Sequence, residues 1–316
     1  MRILLTGALG QIGSELTCAL SDRYGNENII ATDIKNGNHD FECDFTTLDV
    51  QNKKNIRDIV SENNIDTIYH LAAILSAAAE ETPMAAWDVN MNGLRNILEV
   101  AREFGCSVFV PSSIGVFGSS TPKNNTPQET IQRPSSIYGV TKVSGELLCD
   151  YYYSKYGVDT RGIRYPGIIS NKTLPGGGTT DYAVEIYYEA LKKGHYTCFL
   201  SKDTALDMMY MPDAIDAAIK LMETPAEDLV HRNAFNASAM SVTPFDMAKS
   251  IKEYIPEFEI EYEIDETKQN IADSWPNKID DSNAEKEWGW QAKYDLDSMT
   301  KDMLEKLSNK LGSDYK

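Results

Sequence analysis

The 316-residue chain has few cysteines, few histidines and no long apolar run. Its five cysteines are odd in number and widely scattered, with no Cys-x-x-Cys pair. That pattern argues against a disulfide framework or a zinc site and fits a reducing compartment. The four histidines lack metal-ligand spacing, so we expect no metal ion. No apolar run approaches the roughly 18 residues of a membrane span, and the N-terminus does not resemble a signal peptide. These absences predict a cytoplasmic protein.

Positive charge is also scarce, because 30 basic residues face 48 acidic ones and the net charge is −18. A surface of that sign repels phosphate groups, so we expect neither nucleic acid nor an anionic membrane as a partner. In the second half, Arg232 is the only arginine after residue 165. Nucleoside diphosphates are typically held by bidentate arginine contacts, although lysines can substitute as point charges. The deficit favours a small substrate without phosphate groups.

A glycine-rich turn stands out near the N-terminus. A short apolar run at residues 2–6 leads into G-A-L-G-Q-I-G at residues 7–13 and then into an amphipathic stretch. Strand, glycine turn and helix form the context of a dinucleotide-binding turn, in which the backbone approaches a pyrophosphate. An ordinary glycine-rich loop is the alternative that this motif alone leaves open. The residues expected to contact a cofactor here are Gly7, Gly10, Gln11, Ile12 and Gly13.

The next apolar run ends at Asp33. A carboxylate at this distance from the glycine turn accepts hydrogen bonds from an adenosine ribose and repels a 2′-phosphate. Asp33 therefore predicts NAD rather than NADP as the cofactor. The nearby Lys35 is the feature that could still accommodate a phosphate.

Strand and helix patterns alternate through the first half of the chain. This alternation predicts an α/β fold, a Rossmann-like doubly wound parallel sheet with helices on both faces. The buried runs 67–73 and 107–111 are expected strands, and 83–104 and 136–156 are expected long helices. Ligands of such sheets bind outside the carboxyl ends of the strands. Ser113, which follows the run 107–111, is therefore expected at the site.

We expect two domains that are not contiguous in sequence. Residues 1–165 plus about 207–238 would form the NAD-binding Rossmann domain. Residues of about 166–206 and 239–316 would form a smaller α/β substrate-binding domain. In its C-terminal part, acidic and apolar residues alternate over residues 257–266, which predicts a half-exposed strand.

The stretch S-S-I-Y-G-V-T-K-V-S-G-E at residues 135–146 contains the residues best suited to acid–base chemistry. On a helix, Tyr138 and Lys142 share a face. An ammonium group beside a phenol lowers the phenol's pKa from its usual value of about 10. The resulting phenolate is a candidate general base, which removes the proton of an alcohol while a hydride leaves the carbon. The pairs Tyr151/Lys155 and Tyr188/Lys192 have the same spacing, and we interpret both as solvated pairs on helix surfaces.

The ordered set of motifs resembles the extended short-chain dehydrogenase/reductase family. The resemblance implies that Tyr138 is the catalytic acid/base, that Lys142 binds the nicotinamide ribose and lowers the tyrosine pKa, and that Ser113 positions the reacting oxygen. It also implies a homodimer formed through the helices near 83–104 and 136–156. The motifs are Gly7-x-x-Gly10-x-x-Gly13, Asp33, Asp49-Val50, His70-Leu71-Ala72-Ala73, Asn90, Ser113 and Tyr138-x-x-x-Lys142. The further cofactor contacts implied are Asp49, Val50, Leu71, Ala72, Ala73, Asn90, Tyr165 and Ile168.

Six further motifs lie at residues 111–118, 165–170, 175–182, 208–213, 274–276 and 281–290. With these motifs the chain resembles one group within that family, the short-chain type of L-threonine 3-dehydrogenase. This resemblance implies NAD-dependent oxidation of the 3-hydroxyl of L-threonine to 2-amino-3-oxobutanoate. Thr179 and Thr180 would bind the substrate carboxylate, and Ser76 would do the same from the cofactor side. The loop 175–180 would close over the substrate, with a flexible surface loop as the alternative.

Two other functions stay open at this point. A UDP-sugar 4-epimerase-like enzyme would share the fold, although sugar-nucleotide members of the family usually carry Asn or a similar polar residue around position 167, where this chain has Gly. A non-catalytic NAD-sensing protein would not need the serine, tyrosine and lysine together. We interpret Trp275, Trp288 and Trp290 as core or lid residues rather than as a ligand cage.

Overall fold

A computed structural model of the chain describes residues 1–37, 39–174 and 178–312. The strands are β1 (Ile3–Thr6), β2 (Ile29–Asp33), β3 (Asp44–Thr47), β4 (Thr67–His70), β5 (Ser107–Phe109), β6 (Ser112–Ser113), β7 (Thr160–Arg161), β8 (Ile163–Tyr165), β9 (Gly167–Ile169), β10 (His195–Cys198), β11 (Leu206–Tyr210), β12 (Phe235–Asn236), β13 (Met240–Val242) and β14 (Glu259–Tyr262). The helices are α1 (Gln11–Tyr24), α2 (Lys53–Glu62), α3 (Ser76–Glu81), α4 (Pro83–Trp87), α5 (Leu94–Phe104), α6 (Ile137–Tyr156), α7 (Tyr182–Lys193), α8 (Met211–Glu223), α9 (Pro244–Lys252), α10 (Glu266–Ser274), α11 (Ser282–Trp288) and α12 (Leu296–Leu311).

The central sheet has the strand order β3-β2-β1-β4-β5-β7, and each neighbouring pair is parallel. β1 lies in the middle, where Ile3 aligns with Ile29 on one side and with Thr67 on the other. All four residues of β1 and of β4 are buried, as expected for strands covered by helices on both faces. The predicted Rossmann-like doubly wound sheet is confirmed.

Smaller sheets extend the fold beyond the central one. β6 and β8 pair in parallel, with Ser113 opposite Tyr165. β9 and β11 pair in parallel, and β13 joins β11 antiparallel. β10 and β14 form a parallel pair, and β14 alternates exposed and half-buried residues, so the strand predicted within 257–266 is confirmed.

Two of the three hydrophobic cores contain most of the buried apolar residues. One packs α1 and α8 against the central sheet, around Leu5 and Met209. The other packs α7, α9 and α12 together, around Tyr187. Trp288 and Trp290 pack in the first core, so the segment 282–290 lies against the Rossmann part although it was expected in the substrate domain. We keep the two-domain division as an interpretation, with this segment packed across it.

The long helix expected at 83–104 is built from three consecutive pieces. Pro83 occupies the first turn of α4, where its missing N–H costs no hydrogen bond. A π-helical turn, Asp88–Gly93, then connects α4 to α5. Such turns are frequent at functional sites, because they redirect one side chain out of the helical register. Here the turn contains Asn90.

Helix α6 matches the expected helix 136–156 closely. The Ser136 hydroxyl accepts a hydrogen bond from the N–H of Gly139 at 3.0 Å, which caps the first turn. Gly157, in a left-handed conformation with φ of 71°, ends the helix. Among the described residues, no helix is long and apolar enough to cross a membrane.

Candidate active site

The glycine turn between β1 and α1 brings backbone atoms very close together. Gly7 has φ of +76°, and a Cβ atom at this position would lie 2.7 Å from the backbone nitrogen of Ala72. A Cβ atom at Gly13 would lie 2.1 Å from the carbonyl oxygen of Gly7. Only glycine fits both positions, because a side chain would push the helix away from the strand. The turn leads directly into the N-terminus of α1, where free N–H groups favour an anion.

Asp33 ends β2 beside this turn. Its Oδ2 accepts a hydrogen bond from the N–H of Leu9 at 3.0 Å, and its Oδ1 accepts one from the N–H of Lys35 at 3.1 Å. The carboxylate therefore fixes the glycine turn relative to β2. Its position at the carboxyl end of the strand is the one expected for a residue that binds the adenosine ribose.

One cavity of about 230 Å³ extends from the glycine turn to the start of α7. It brings together most of the predicted cofactor, catalytic and substrate residues. Those that line it are Gly7, Gly10, Gln11, Ile12, Gly13, Leu71, Ala73, Ser76, Ser113, Tyr138, Lys142, Tyr165, Ile168, Thr179 and Thr180. The predicted residues that do not line it are Asp33, Asp49, Val50, Ala72 and Asn90.

Asn90 supports the cavity wall from behind. Its Oδ1 accepts a hydrogen bond from the N–H of Ile74 at 2.8 Å, and its Nδ2 donates to the Ile74 carbonyl and to the Thr141 hydroxyl, both at 3.1 Å. These bonds connect the loop after β4 to the turn of α6 that carries Lys142. The amide of Asn90 thus holds this loop, and its predicted direct contact with the cofactor stays a prediction.

Asp49 and Val50 lie at the entry to α2. Asp49 is exposed, and its carboxylate accepts a hydrogen bond from the N–H of Gln51 at 2.9 Å. The Val50 carbonyl accepts one from the Asn96 side chain at 3.1 Å, and its side chain packs against Gly93. Asp49 therefore stabilises the turn between β3 and α2, and Val50 connects this turn to α5.

Ser113, Tyr138 and Lys142 converge from a strand and a helix. Tyr138 and Lys142 lie one turn apart on α6, with Nζ of Lys142 5.6 Å from the centroid of the Tyr138 ring. The Ser113 hydroxyl accepts a hydrogen bond from the N–H of Gly115 at 3.1 Å. A Cβ atom on Gly115 would lie 3.4 Å from both the serine oxygen and the tyrosine ring. The phenol and the serine turn therefore lie close together on either side of Gly115.

Burial dominates the electrostatics of this group. It raises the pKa of Tyr138 to about 12, and the Ser113 hydroxyl offsets part of the rise. It also lowers the pKa of Lys142 to about 8, against the opposing charge of Glu146. The net shift of the Tyr138 pKa is therefore opposite to the expected depression, because the loss of hydration on burial disfavours the charged phenolate.

The loop before α7 closes the other end of the cavity. Thr179 is buried there, and the carbonyl of Thr180 accepts a hydrogen bond from the N–H of Ala183 at 3.0 Å. The N–H of Gly178 donates to the Asp181 carboxylate at 2.6 Å. Residues 175–177 lie outside the described residues, so closure of the loop 175–180 stays a prediction.

Sequence reasoning assigned Trp275 to core or lid packing, and the structure places it in the cavity wall at 8% exposure. Its S-W-P context carried part of the second resemblance, which was the available signal. The cavity residues that sequence reasoning did not assign to the site are Leu75, Pro111, Ser112, Ile114, Pro166, Gly167, Gly178 and Asp181. Within the described ranges, no group of three or more His, Cys, Asp or Glu side chains is arranged to hold a metal ion.

A profile of the "NAD dependent epimerase/dehydratase family" matches residues 3–237. The chain belongs to this family. The resemblance inferred from the ordered motifs is therefore confirmed. A curated member of the same family, an uncharacterized epimerase/dehydratase of Staphylococcus haemolyticus, is 54% identical over 312 residues, which cover 98% of both chains.

Solved structures of two family members are also similar to the chain. An L-threonine dehydrogenase from Clostridium difficile superposes with a TM-score of 0.97 and 58% identity, covering 98% of each chain. The holo form of a GalE-like L-threonine dehydrogenase from Cupriavidus necator has a TM-score of 0.95 and 48% identity, covering 97% of this chain and 100% of the other. Family membership and these neighbours indicate an NAD-dependent oxidoreductase that uses a nicotinamide dinucleotide.

Proposed function

We propose that this oxidoreductase oxidises the 3-hydroxyl of L-threonine with NAD and releases 2-amino-3-oxobutanoate. The observation that carries the proposal is a single cavity lined by the glycine turn, by Ser113, Tyr138 and Lys142, and by Thr179 and Thr180. The likeness to L-threonine dehydrogenases supports the choice of substrate.

The residues of the cavity fit a dinucleotide. The glycine turn leaves room for backbone approach to a pyrophosphate, and the buried Nε2 of Gln11 has no hydrogen-bond partner among the described residues. Asp33 favours NAD, because its carboxylate suits a free ribose and repels a 2′-phosphate. NAD, when bound, supplies the nicotinamide ring that accepts the hydride.

Tyr138 is the general base in this proposal and takes the proton of the substrate hydroxyl. It must act as the phenolate, which its burial disfavours and the protonated Lys142 favours. Because the pKa of Lys142 is about 8, this lysine keeps most of its charge at pH 7. Ser113, on β6, orients the substrate hydroxyl. Because only the phenolate form of Tyr138 accepts the proton, we expect the rate of oxidation to increase as the pH rises above neutrality.

The remaining part of the cavity suits a small zwitterion. Thr179, Thr180 and Ser76 offer hydroxyl and backbone N–H groups for a carboxylate. No arginine is among the described residues that line the cavity. A nucleoside diphosphate would therefore lack the bidentate contacts that usually bind it.

The test is a substrate panel monitored by the absorbance of reduced cofactor. L-Threonine, other 3-hydroxy amino acids and UDP-sugars are each supplied with NAD or NADP. We expect reduced NAD to accumulate with L-threonine and little reaction with NADP. Conversion of a UDP-sugar without net NAD reduction would support the epimerase alternative, and NAD binding without turnover of any alcohol would support the NAD-sensing alternative.

We also infer that the protein is a cytoplasmic homodimer. On α6, the exposed side chains of Val140, Leu147 and Tyr151 share one face, and Met84 on the adjoining α4 is exposed beside that helix. A second copy of the chain, placed by a two-fold axis, would cover the same apolar face on both subunits. The five cysteines are unpaired, which suits a reducing compartment.

Sedimentation equilibrium tests the homodimer. We expect the mass of two chains for the wild type and of one chain for Leu147→Glu, because a carboxylate in an apolar interface is costly to bury. The exposed Phe245→Glu is the matched control, since Phe245 lies on α9, away from this face. A wild-type protein that sediments as a single chain would contradict the proposal.

A further inference from the structure

A buried carboxylate, Glu146, lies one helical turn beyond Lys142 on α6. Its side chain is 6% exposed. Its Oε1 accepts a hydrogen bond from Nε of Arg164 at 3.0 Å, and its Oε2 accepts one from Nη2 of the same guanidinium edge at 2.9 Å. Gln132 also donates to Oε2, at 2.6 Å. This bidentate, fully enclosed pair takes no part in the reaction as described above.

Glu146 also contacts the strand that carries the catalytic serine. The Ser112 hydroxyl donates a hydrogen bond to its Oε1, and Ser112 directly precedes Ser113 on β6. β6 pairs in parallel with β8, and the register places Ser112 opposite Arg164. From α6, one carboxylate therefore bonds to both strands of this pair at the same level.

The far side of this cluster is fixed as well. Nη1 of Arg164 donates to the Gln128 carbonyl at 2.7 Å and to the Asn236 side chain at 3.1 Å. The guanidinium is thus hydrogen-bonded along two of its edges. Ser112, Lys142 and Glu146 line a common enclosed cavity of about 30 Å³. The cluster therefore lies directly behind the catalytic residues Ser113, Tyr138 and Lys142.

We propose that Glu146 is a positioning residue, which holds the serine strand against the catalytic helix and so determines where Ser113 lies relative to Tyr138. The proposal rests on the proposed function, because it assigns Glu146 to the same reaction. Glu146 does not line the cavity that would hold the substrate, so it acts through its neighbours. A misplacement of about 1 Å at a reacting group can lower the rate about 100-fold.

The charge of Glu146 provides a readout that a purely structural role would not change. Of the groups around Lys142, Glu146 opposes the effect of burial and raises the lysine pKa. His70 is fully buried, and its lowered pKa of about 3 keeps it neutral. Loss of the Glu146 charge should therefore lower the Lys142 pKa further. The titratable groups packed around Lys142 are His70 from β4 and Tyr138, Glu146 and Cys149 from α6, and the charged Arg164 from β8 pairs with Glu146.

Two variants separate position from charge. Glu146→Gln keeps an oxygen that can accept from Ser112 but removes the charge. We expect a kcat near that of the wild type at the optimum. The alkaline limb of the kcat–pH profile, where Lys142 loses its proton and kcat declines, should shift to lower pH. In the double variant Glu146→Met/Arg164→Met, both partners of the buried pair become apolar, a change that proteins often tolerate. We expect a folded protein whose kcat is lower by about 10- to 100-fold.

Asp159→Asn is the matched control. Asp159 is also a largely buried carboxylate held by two arginines, Arg161 at 2.7 Å and Arg232 at 2.6 Å, but it contacts no residue of the catalytic group. This variant should lower Tm while leaving kcat and the alkaline limb of the profile unchanged.

A crystal structure of the double variant keeps the test independent of the substrate. We expect Ser113 Oγ to lie about 1 Å or more from its wild-type position relative to Tyr138. An unmoved Ser113, or a folded double variant with the wild-type kcat, would overturn the positioning role. A wild-type protein that does not oxidise L-threonine would instead overturn the proposed function, and the crystallographic comparison would still decide on Glu146.

Discussion

Nζ of Lys142 donates a hydrogen bond of 2.7 Å to the carbonyl oxygen of Pro111. Pro111 follows β5, so this bond anchors the ammonium at the carboxyl end of the central sheet, where ligands of this fold bind. A buried ammonium needs such acceptors, because an unpaired one would carry the full cost of leaving water. The charge therefore has a fixed location beside the Tyr138 ring.

Tyr138→Phe removes the ionisable group and keeps the shape of the ring. We expect kcat for L-threonine oxidation to fall by about 10²- to 10⁴-fold, the usual contribution of a general base, with NAD binding retained. Tyr156→Phe is the control, because Tyr156 lies exposed at the C-terminal end of the same helix and is not part of the face proposed for the dimer. Similar rates for both variants would refute the assignment of the base.

Lys142→Met removes the ammonium beside the phenol. The phenolate would lose the charge that favours it, so the rise of kcat with pH should move to higher pH, and the KM for NAD should increase. Measurement of kcat between pH 6 and about 10 checks the direction. The exposed Lys155→Met should leave the profile unchanged. A Lys142→Met profile that coincides with that of the wild type would contradict the role of the ammonium.

Asp33→Ala should change the choice of cofactor. Without the carboxylate, a 2′-phosphate is no longer repelled, and the ratio of kcat/KM for NAD to that for NADP should fall by about tenfold or more, equivalent to ~1.4 kcal/mol. The exposed Asp44→Ala, on the neighbouring strand β3, is the control. An unchanged ratio in Asp33→Ala would mean that another residue reads the ribose.

Trp275→Phe trims the wall of the cavity at its substrate end. We expect the KM for L-threonine to increase by about tenfold, equivalent to ~1.4 kcal/mol, while the Kd for NAD stays the same. Trp288→Phe is matched in chemistry but lies in the Rossmann core, so it should lower Tm and leave KM unchanged. If Trp288→Phe raised the KM and Trp275→Phe lowered only the Tm, the substrate would bind elsewhere.

Asp207→Asn tests a buried acid on β11. The carboxyl accepts hydrogen bonds from the Ser238 hydroxyl at 3.0 Å and from the N–H of Ile279 at 2.9 Å, and burial raises its pKa to about 7. The folded protein therefore binds a proton more tightly than the unfolded chain does. Stability should decline as pH rises from about 4 to about 7, because the ionised form is disfavoured in the fold.

Urea unfolding at several pH values checks this window. The asparagine variant should show a flatter dependence over the window and should exceed the wild type in stability at pH 8. Near pH 4, where Asp207 is protonated in the fold, the two proteins should differ little. Parallel curves across the whole range would show that this carboxyl does not titrate between the folded and unfolded states.

Much of the fold was available from short-range patterns. Each of these patterns determines the conformation of residues close to it in sequence. Examples are the apolar run at Ile3–Thr6, the glycines of residues 7–13 and the Ser136 cap of α6. Strand, turn and helix boundaries are determined at that range. The alternation of these elements was then sufficient for a parallel sheet with the site at its carboxyl edge.

Contacts between distant segments decided the rest. Trp275 reaches the cavity from more than a hundred residues beyond Tyr138, and Glu146 finds Ser112 and Arg164 on two separate strands. No periodic pattern in the sequence predicts either of these contacts.

By itself, the sequence determined which elements form and which residue types meet at the carboxyl edge of the sheet, because periodicity and capping are local. The tertiary structure alone decided what those residues experience. The side chain of Asn90 hydrogen-bonds to the backbone of the loop after β4. Burial reversed the expected direction of the Tyr138 pKa shift. The physical reason is that desolvation and hydrogen-bond partners depend on which distant segments cover a side chain.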